Sequence, residues 1–155
     1  MTNSGFRIVP LASEVAEEAR RRAAAGRSDH ATIIVDAPRA APCRHCLCWA
    51  EPGERVILFP YASIPAGHPY SESGPVFVHE HACEPYAQTD RYPDEFRAGR
   101  VLRAYDSRNN MIDAVPVNGE PPEAVIASLL ANSQTAFLQA RSATRGCFTF
   151  RIERQ

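Results

Sequence analysis

The chain has 155 residues, 45% of them hydrophobic and 23% charged, which is the balance of one ordinary globular domain able to bury a core without staples. Its net charge of −1 supplies no basic field for nucleic acid and no polybasic patch for a membrane surface, so neither partner is expected. All seventeen basic residues are arginine; without a lysine, Schiff-base chemistry, pyridoxal phosphate anchoring and a Walker-type phosphate loop are excluded, and no nucleotide cofactor is expected.

The start, "MTNSGFRIVPLASEV", has no cationic segment followed by an apolar run, and no window approaches the roughly 18 apolar residues of a membrane span. A cytoplasmic setting with reduced thiols is therefore expected, and five cysteines, an odd number, suit it better than a closed disulfide framework. "FRIV" (6–9) reads as a short strand. In "LASEVAEEARRRAAAG", Leu11, Val15, Ala19 and Ala23 form one helical stripe over about 12–25, with Ser13 as its cap and Gly26 as its stop. "ATIIVD" (31–36) is a strand by β-branched content, and a proline-rich loop follows it. "ERVILFPY" and "PVFVHEH" (75–81) are further strands, separated by a loop rich in Pro, Gly and Ser.

Residues 84 to 99 read as irregular. "RVLRAYD" and "MIDAVPV" make a hairpin over 101–117 that turns near Asn109 and Asn110. "PPEAVIASLLAN" is a second helix near 121–131, proline at its first turn and Val125, Ile126, Leu129 and Leu130 on its buried face. "TAFLQARSA" and "GCFTFRIER" close a second hairpin around "TRG". Consecutive hairpins around two separated helices predict a single α+β domain over 1–155 with a mainly antiparallel sheet, and Val15, Val125 and Leu129 buried against it.

Taken together, "PCR" (42–44), "AEPGE" (50–54), "PYSESGPVFV" (69–78), "LRAYD" (102–106) and "GCF" (146–148) resemble the bacterial family known as domain of unknown function 1203. The resemblance runs in order from about Phe6 to Arg154. It implies a single-domain bacterial protein, and it singles out Cys43, Arg44, Gly74, Pro75, Arg103, Tyr105 and Cys147 with no role attached.

The densest chemistry lies in "PCRHCLCWAEPGE" (42–54), which holds Cys43, His45, Cys46 and Cys48, and in "FVHEHACEP" (77–85), which holds His79, His81 and Cys83. A Cys-x-x-Cys pair at Cys43 and Cys46 suits zinc, because a tight turn aims both sulfurs at one centre. His79 and Cys83 share a face whether their segment is extended or helical, whereas His81 shares it only when extended. The predicted metal set is therefore Cys43, Cys46, His79 and Cys83, with zinc as the ion; four protein ligands leave no open position, so the site would be structural.

Competing readings weigh less. A strand before Cys-x-x-Cys superficially fits a thioredoxin-like unit, but Glu51, Pro52 and Gly53 leave little room for the helix that would follow, and the strand–helix alternation of that fold is missing downstream. "PCRHC" is half of a zinc deaminase signature; the upstream His-x-Glu is missing, since threonine stands where the catalytic glutamate belongs in "HAT" (30–32). A Cys–His nucleophile such as Cys43 with His79 lacks a recognisable orienting acid. Asp106 and Asp113 read as solvated or turn-forming acids, Arg103 and Tyr105 as surface residues or the lining of an anion pocket, Cys147 as core and Trp49 as a packing anchor. Two functional classes follow: a non-enzymatic binding or structural domain with a zinc centre, which the pattern favours, and a small thiol-dependent enzyme, redox or nucleophilic.

Overall fold

Residues 5–155 are described by a computed structural model. The first four residues of the start "MTNSGFRIVPLASEV" lie outside that range. Eight strands and two helices follow in the order β1 (Phe6–Val9), α1 (Ser13–Ala24), β2 (Ala31–Ile34), β3 (Arg55–Ile64), β4 (Glu72–His79), β5 (Arg100–Tyr105), β6 (Met111–Val117), α2 (Pro122–Ala131), β7 (Phe137–Ser142) and β8 (Phe148–Arg154). The strands form a five-stranded sheet in the order β1-β8-β7-β5-β6 and a three-stranded sheet in the order β2-β3-β4, every pairing antiparallel. The fold is thus a single α+β domain, mostly sheet. No described helix is long and apolar enough to cross a membrane.

Strand alternation gives the large sheet one apolar face. Ile8, Ile152, Leu138 and Ala104 stand in one cross-strand row, and Phe150, Ala140 and Leu102 in the next. Ile126 and Leu129 of α2 cover this face together with Tyr92 and Phe96 from the irregular segment before β5. Val125 and Leu130 sit at its margin, half-buried. The opposite face is mixed: Tyr105 and Phe137 pack on Ile64 at one end, beside polar residues. Gln139, Arg141 and Arg103 meet the far end of the β3–β4 hairpin there, where Glu72 takes Arg103 at 3.0 Å and Arg141 at 2.9 Å.

The small sheet packs Ile57, Phe59, Val76 and Val78 against Leu11, Ala16 and Ala19 of the α1 region. Four expectations change here. Val15 is half-buried, because the inward face of α1 is centred on Ala16 and Ala19. Ser13 is the first helical residue and makes no cap bond; Ala12 occupies the cap position, and the Ser13 hydroxyl is engaged elsewhere. The strand read over 31–36 ends at Ile34 and is exposed along its whole length, since β2 is an edge strand. The strand read over 75–81 begins earlier, at Glu72, and ends at His79, leaving His81 beyond it.

Candidate metal centre

The turn between Pro42 and Trp49 carries the first two sulfurs. Pro42 bridges to Trp49, and the Cys43 N–H donates to Cys48 O while the Leu47 N–H donates to Cys43 O, both at 2.9 Å. Leu47 closes the turn at φ 59, a left-handed conformation that β-carbon sterics disfavour. Its side chain is buried in the core of the large sheet, which holds the turn in place. The turn is also bolted to β4, because Cys43 bridges to Phe77 and the Arg44 N–H donates to Phe77 O at 2.9 Å. That docking sets Cys43 beside the end of β4, where His79 emerges and the chain leaves the sheet toward Cys83.

One ligand atom from each of Cys43, Cys46, His79 and Cys83 lies within 4.8 Å of all the others, so the four could hold a metal ion. The Cys43 and Cys83 sulfurs are 3.9 Å apart, and Cys46 Sγ lies 3.6 Å from His79 Nδ1. These separations are far from a disulfide, and all five cysteines are free. They match a tetrahedron: metal–sulfur bonds of about 2.3 Å and metal–nitrogen bonds of about 2.0–2.1 Å give S···S edges of about 3.8 Å and S···N edges of about 3.6 Å. Cys43 is fully buried, His79 is buried, and Cys46 and Cys83 are half-buried.

Three thiols and an imidazole this close share protons and charge. Hydrogen bonds from Cys46 and Cys83 favour the Cys43 thiolate and pull its pKa down, while the same contacts and burial push Cys46 up. Contacts with Cys43 and Cys83 hold the His79 pKa up at about 10. Without a metal, the set thus pairs a Cys43 thiolate with a protonated His79 imidazole.

A second layer of residues grips the four. Arg20 of α1 donates from Nε to His79 O at 2.8 Å and reaches the Cys83 sulfur at 3.5 Å. His45 is buried, and burial lowers its pKa. As neutral imidazole it donates from Nδ1 to Cys83 Sγ at 3.2 Å and accepts at Nε2 from the Ser13 hydroxyl at 2.9 Å. Behind His79, its Nε2 lies 3.6 Å from a Glu54 carboxylate oxygen. Glu54 is braced by the Glu51 N–H and by His81, which keep its pKa low. A carboxylate behind a ligating imidazole is the usual means of fixing its ring and tautomer.

His81 stacks on His79, with centroids 4.7 Å apart, and faces Glu54 instead of the sulfurs. Glu54, His79 and His81 form a second close group, but its outer member is exposed. Cys48 is exposed and outside the cluster. From the sequence His45 was noted within the cysteine turn but given no role, and Arg20 and Glu54 were not singled out as functional. Arg20 could have been, since it follows the buried Ala19 and lies four residues beyond the buried Ala16, whereas Arg21 and Arg22 point outward.

The other candidates disperse. Arg103 is held by Glu72, and Tyr105 stacks on Phe137 at 5.1 Å. Asp106 accepts from the backbone N–H groups of Arg108 and Asn110 and shapes the hairpin turn, while Asp113 stands opposite Ala104. Trp49 packs on Phe96. Cys147 is not core: it is half-buried on the wall of a cleft that also includes Arg44 and Pro75, while Gly74 lies on neighbouring surface.

Residues 40–154 match the family model described as Protein of unknown function (DUF1203). The match includes all four clustered residues and begins after α1, so Ser13 and Arg20 fall outside it. No curated protein and no solved structure matches the chain.

Proposed function

The chain belongs to the DUF1203 family, and we propose that in it Cys43, Cys46, His79 and Cys83 bind one zinc ion as a structural centre of a non-enzymatic binding or structural domain. The observation that carries this reading is the agreement of the 3.9 Å and 3.6 Å separations with the edges of a tetrahedral zinc site. Thiolate-rich sets with one imidazole suit zinc among the available divalent ions. Zinc with three thiolates carries a net charge of −1, and Arg20 beside Cys83 supplies the compensating positive charge. Four protein ligands complete the coordination, so no position remains for a substrate or a water to be activated.

The thiol-enzyme alternative asks one of these sulfurs to meet a substrate. Cys43, whose thiolate is the most favoured, is fully buried, which suits a ligand better than a nucleophile. Reduced, closely set thiols fit a cytoplasmic protein of bacterial origin.

The test is elemental analysis of protein purified without chelator, combined with thiol counting under native conditions. One zinc per chain is expected, with Cys48 and Cys147 reacting and Cys43, Cys46 and Cys83 protected until the metal is removed. Metal-free protein with a single hyper-reactive thiol in the cluster would overturn the zinc reading in favour of the enzyme.

A further inference from the structure

On the face of the small sheet turned away from α1, Leu58 and Phe77 form the floor of a cleft of about 570 Å³. Four arginines line it: Arg39, Arg44, Arg100 and Arg145. Among the described residues none of the four takes part in an ion pair, and neither does Glu95, the one carboxylate on the wall. Ten other arginines of the chain do pair with acids. Four of the seven arginines without an ion pair therefore gather in one concave place.

Two of the four are buried, Arg44 at 4% and Arg100 at 7% exposure. Arg44 donates to the carbonyl oxygens of Phe148 and Pro42, at 2.7 and 2.6 Å. Arg100 donates to Gly99 O at 2.9 Å and lies 4.7 Å from the centroid of the Phe96 ring. Its Nε has no partner, and neither has Nε1 of Trp49. These two are the buried side-chain donors left unpartnered among the described residues, and both belong to residues lining this cleft. Burying a guanidinium without a counter-charge is costly, and burial lowers the pKa of Arg100. An anion seated between them would supply both the charge and the missing acceptor.

The geometry points to this cleft as a binding site for a small organic anion, a carboxylate or phosphate ester carrying an apolar group, with Arg44, Arg100 and the exposed Arg145 at its charge and Trp49 and Phe77 against its apolar part. The volume supports an organic ligand over a bare ion, since pockets for such molecules run from about 300 to 1,000 Å³. The site is separate from the metal centre, and its test does not depend on the zinc reading.

Trp49 is the only tryptophan and lies in the cleft, so its emission reports on occupancy. Native protein is titrated with phenyl phosphate, benzoate, inorganic phosphate and benzyl alcohol, with calorimetry alongside fluorescence and with metal content recorded for every sample. Saturable binding of phenyl phosphate or benzoate is expected, and the tighter of the two distinguishes a phosphate ester from a carboxylate. Benzyl alcohol, the ring without the charge, should not saturate over the same range, and inorganic phosphate should bind about tenfold more weakly than the better organic anion. Arg100→Gln and Arg145→Gln should each weaken binding about tenfold, the size of one lost charge-assisted hydrogen bond, at unchanged metal content. Arg145 is exposed, so that variant decides the matter should Arg100→Gln fail to fold. Neither heat nor emission change with either organic anion, equal binding of benzyl alcohol, or wild-type affinity in the folded variants would overturn the proposal.

Discussion

One turn, residues 42 to 49, serves two sites of opposite character. Cys43 and Cys46 look into the sulfur cluster, while Arg44 and Trp49 line the arginine cleft. In the cluster each member is met from within the chain: Cys83 by Arg20 and His45, His79 by Glu54 and Cys46. In the cleft the guanidiniums have carbonyl oxygens and aromatic rings but no acid, and two buried donors have nothing. A site whose groups are completed by the fold is suited to holding the fold together. One whose charges are left uncompensated is suited to something arriving from outside.

The sharpest way to break this comparison is to remove a cluster ligand. Cys43→Ser should abolish stoichiometric zinc and lower stability more than any single core truncation, because binding at structural zinc sites is worth on the order of 10 kcal/mol. Denaturant unfolding with and without a chelator measures it; a variant as stable as the parent would mean that the cluster does not hold the fold together.

The core calibrates that effect. Leu129, 5% exposed beneath the large sheet, should cost about 2–5 kcal/mol when replaced by alanine, with zinc content unchanged. A loss below about half a kcal/mol would place α2 on the surface.

Glu54→Gln should next weaken metal binding about 10- to 100-fold, read by competition with a chromophoric chelator, because the ring of His79 loses its carboxylate. The cleft should be unaffected, and a parallel loss of anion binding there would show that the two sites are coupled. The smallest effect belongs to Cys48→Ser. Its thiol is exposed and outside the cluster, so stability should move by no more than about 0.5 kcal/mol. Native thiol titre should fall by one equivalent with zinc retained.

Much of the cluster was legible because its members are rare residue types on short local segments. The preference for His79 over His81 rested on spacing; in the structure β4 ends at His79, which lies beside Cys46, while the chain beyond carries His81 toward Glu54. The helices and both hairpins were legible from periodicity and turn chemistry, since α2 and the β5–β6 pair are built from contacts close in sequence. What could not be read were groups whose meaning depends on long-range packing. Ser13 has the chemistry of a cap, yet His45, thirty-two residues away, takes its hydroxyl. Cys147 sits in an apolar-looking strand start, yet it borders the cleft. The cleft draws on the cysteine turn, the small sheet, the segment before β5 and the β7–β8 turn, and no single stretch of sequence advertises it.

The pairing of β1 with β8 fixes an order of events during synthesis. Phe6 lies opposite Arg154 and Val9 opposite Arg151, and β1 has no other strand to pair with. The large sheet is therefore incomplete until the last of these residues has left the ribosome. The small sheet, α1 and all four clustered residues are contained within the stretch that ends at Cys83. At about 5–20 residues per second, the remaining 71 residues up to Arg154 take roughly 4–14 s to add, whereas a hairpin forms in about 1–10 μs. Nascent chains thus have seconds in which β3 and β4 can pair and the sulfurs can converge while the N-terminal strand still waits for its partner.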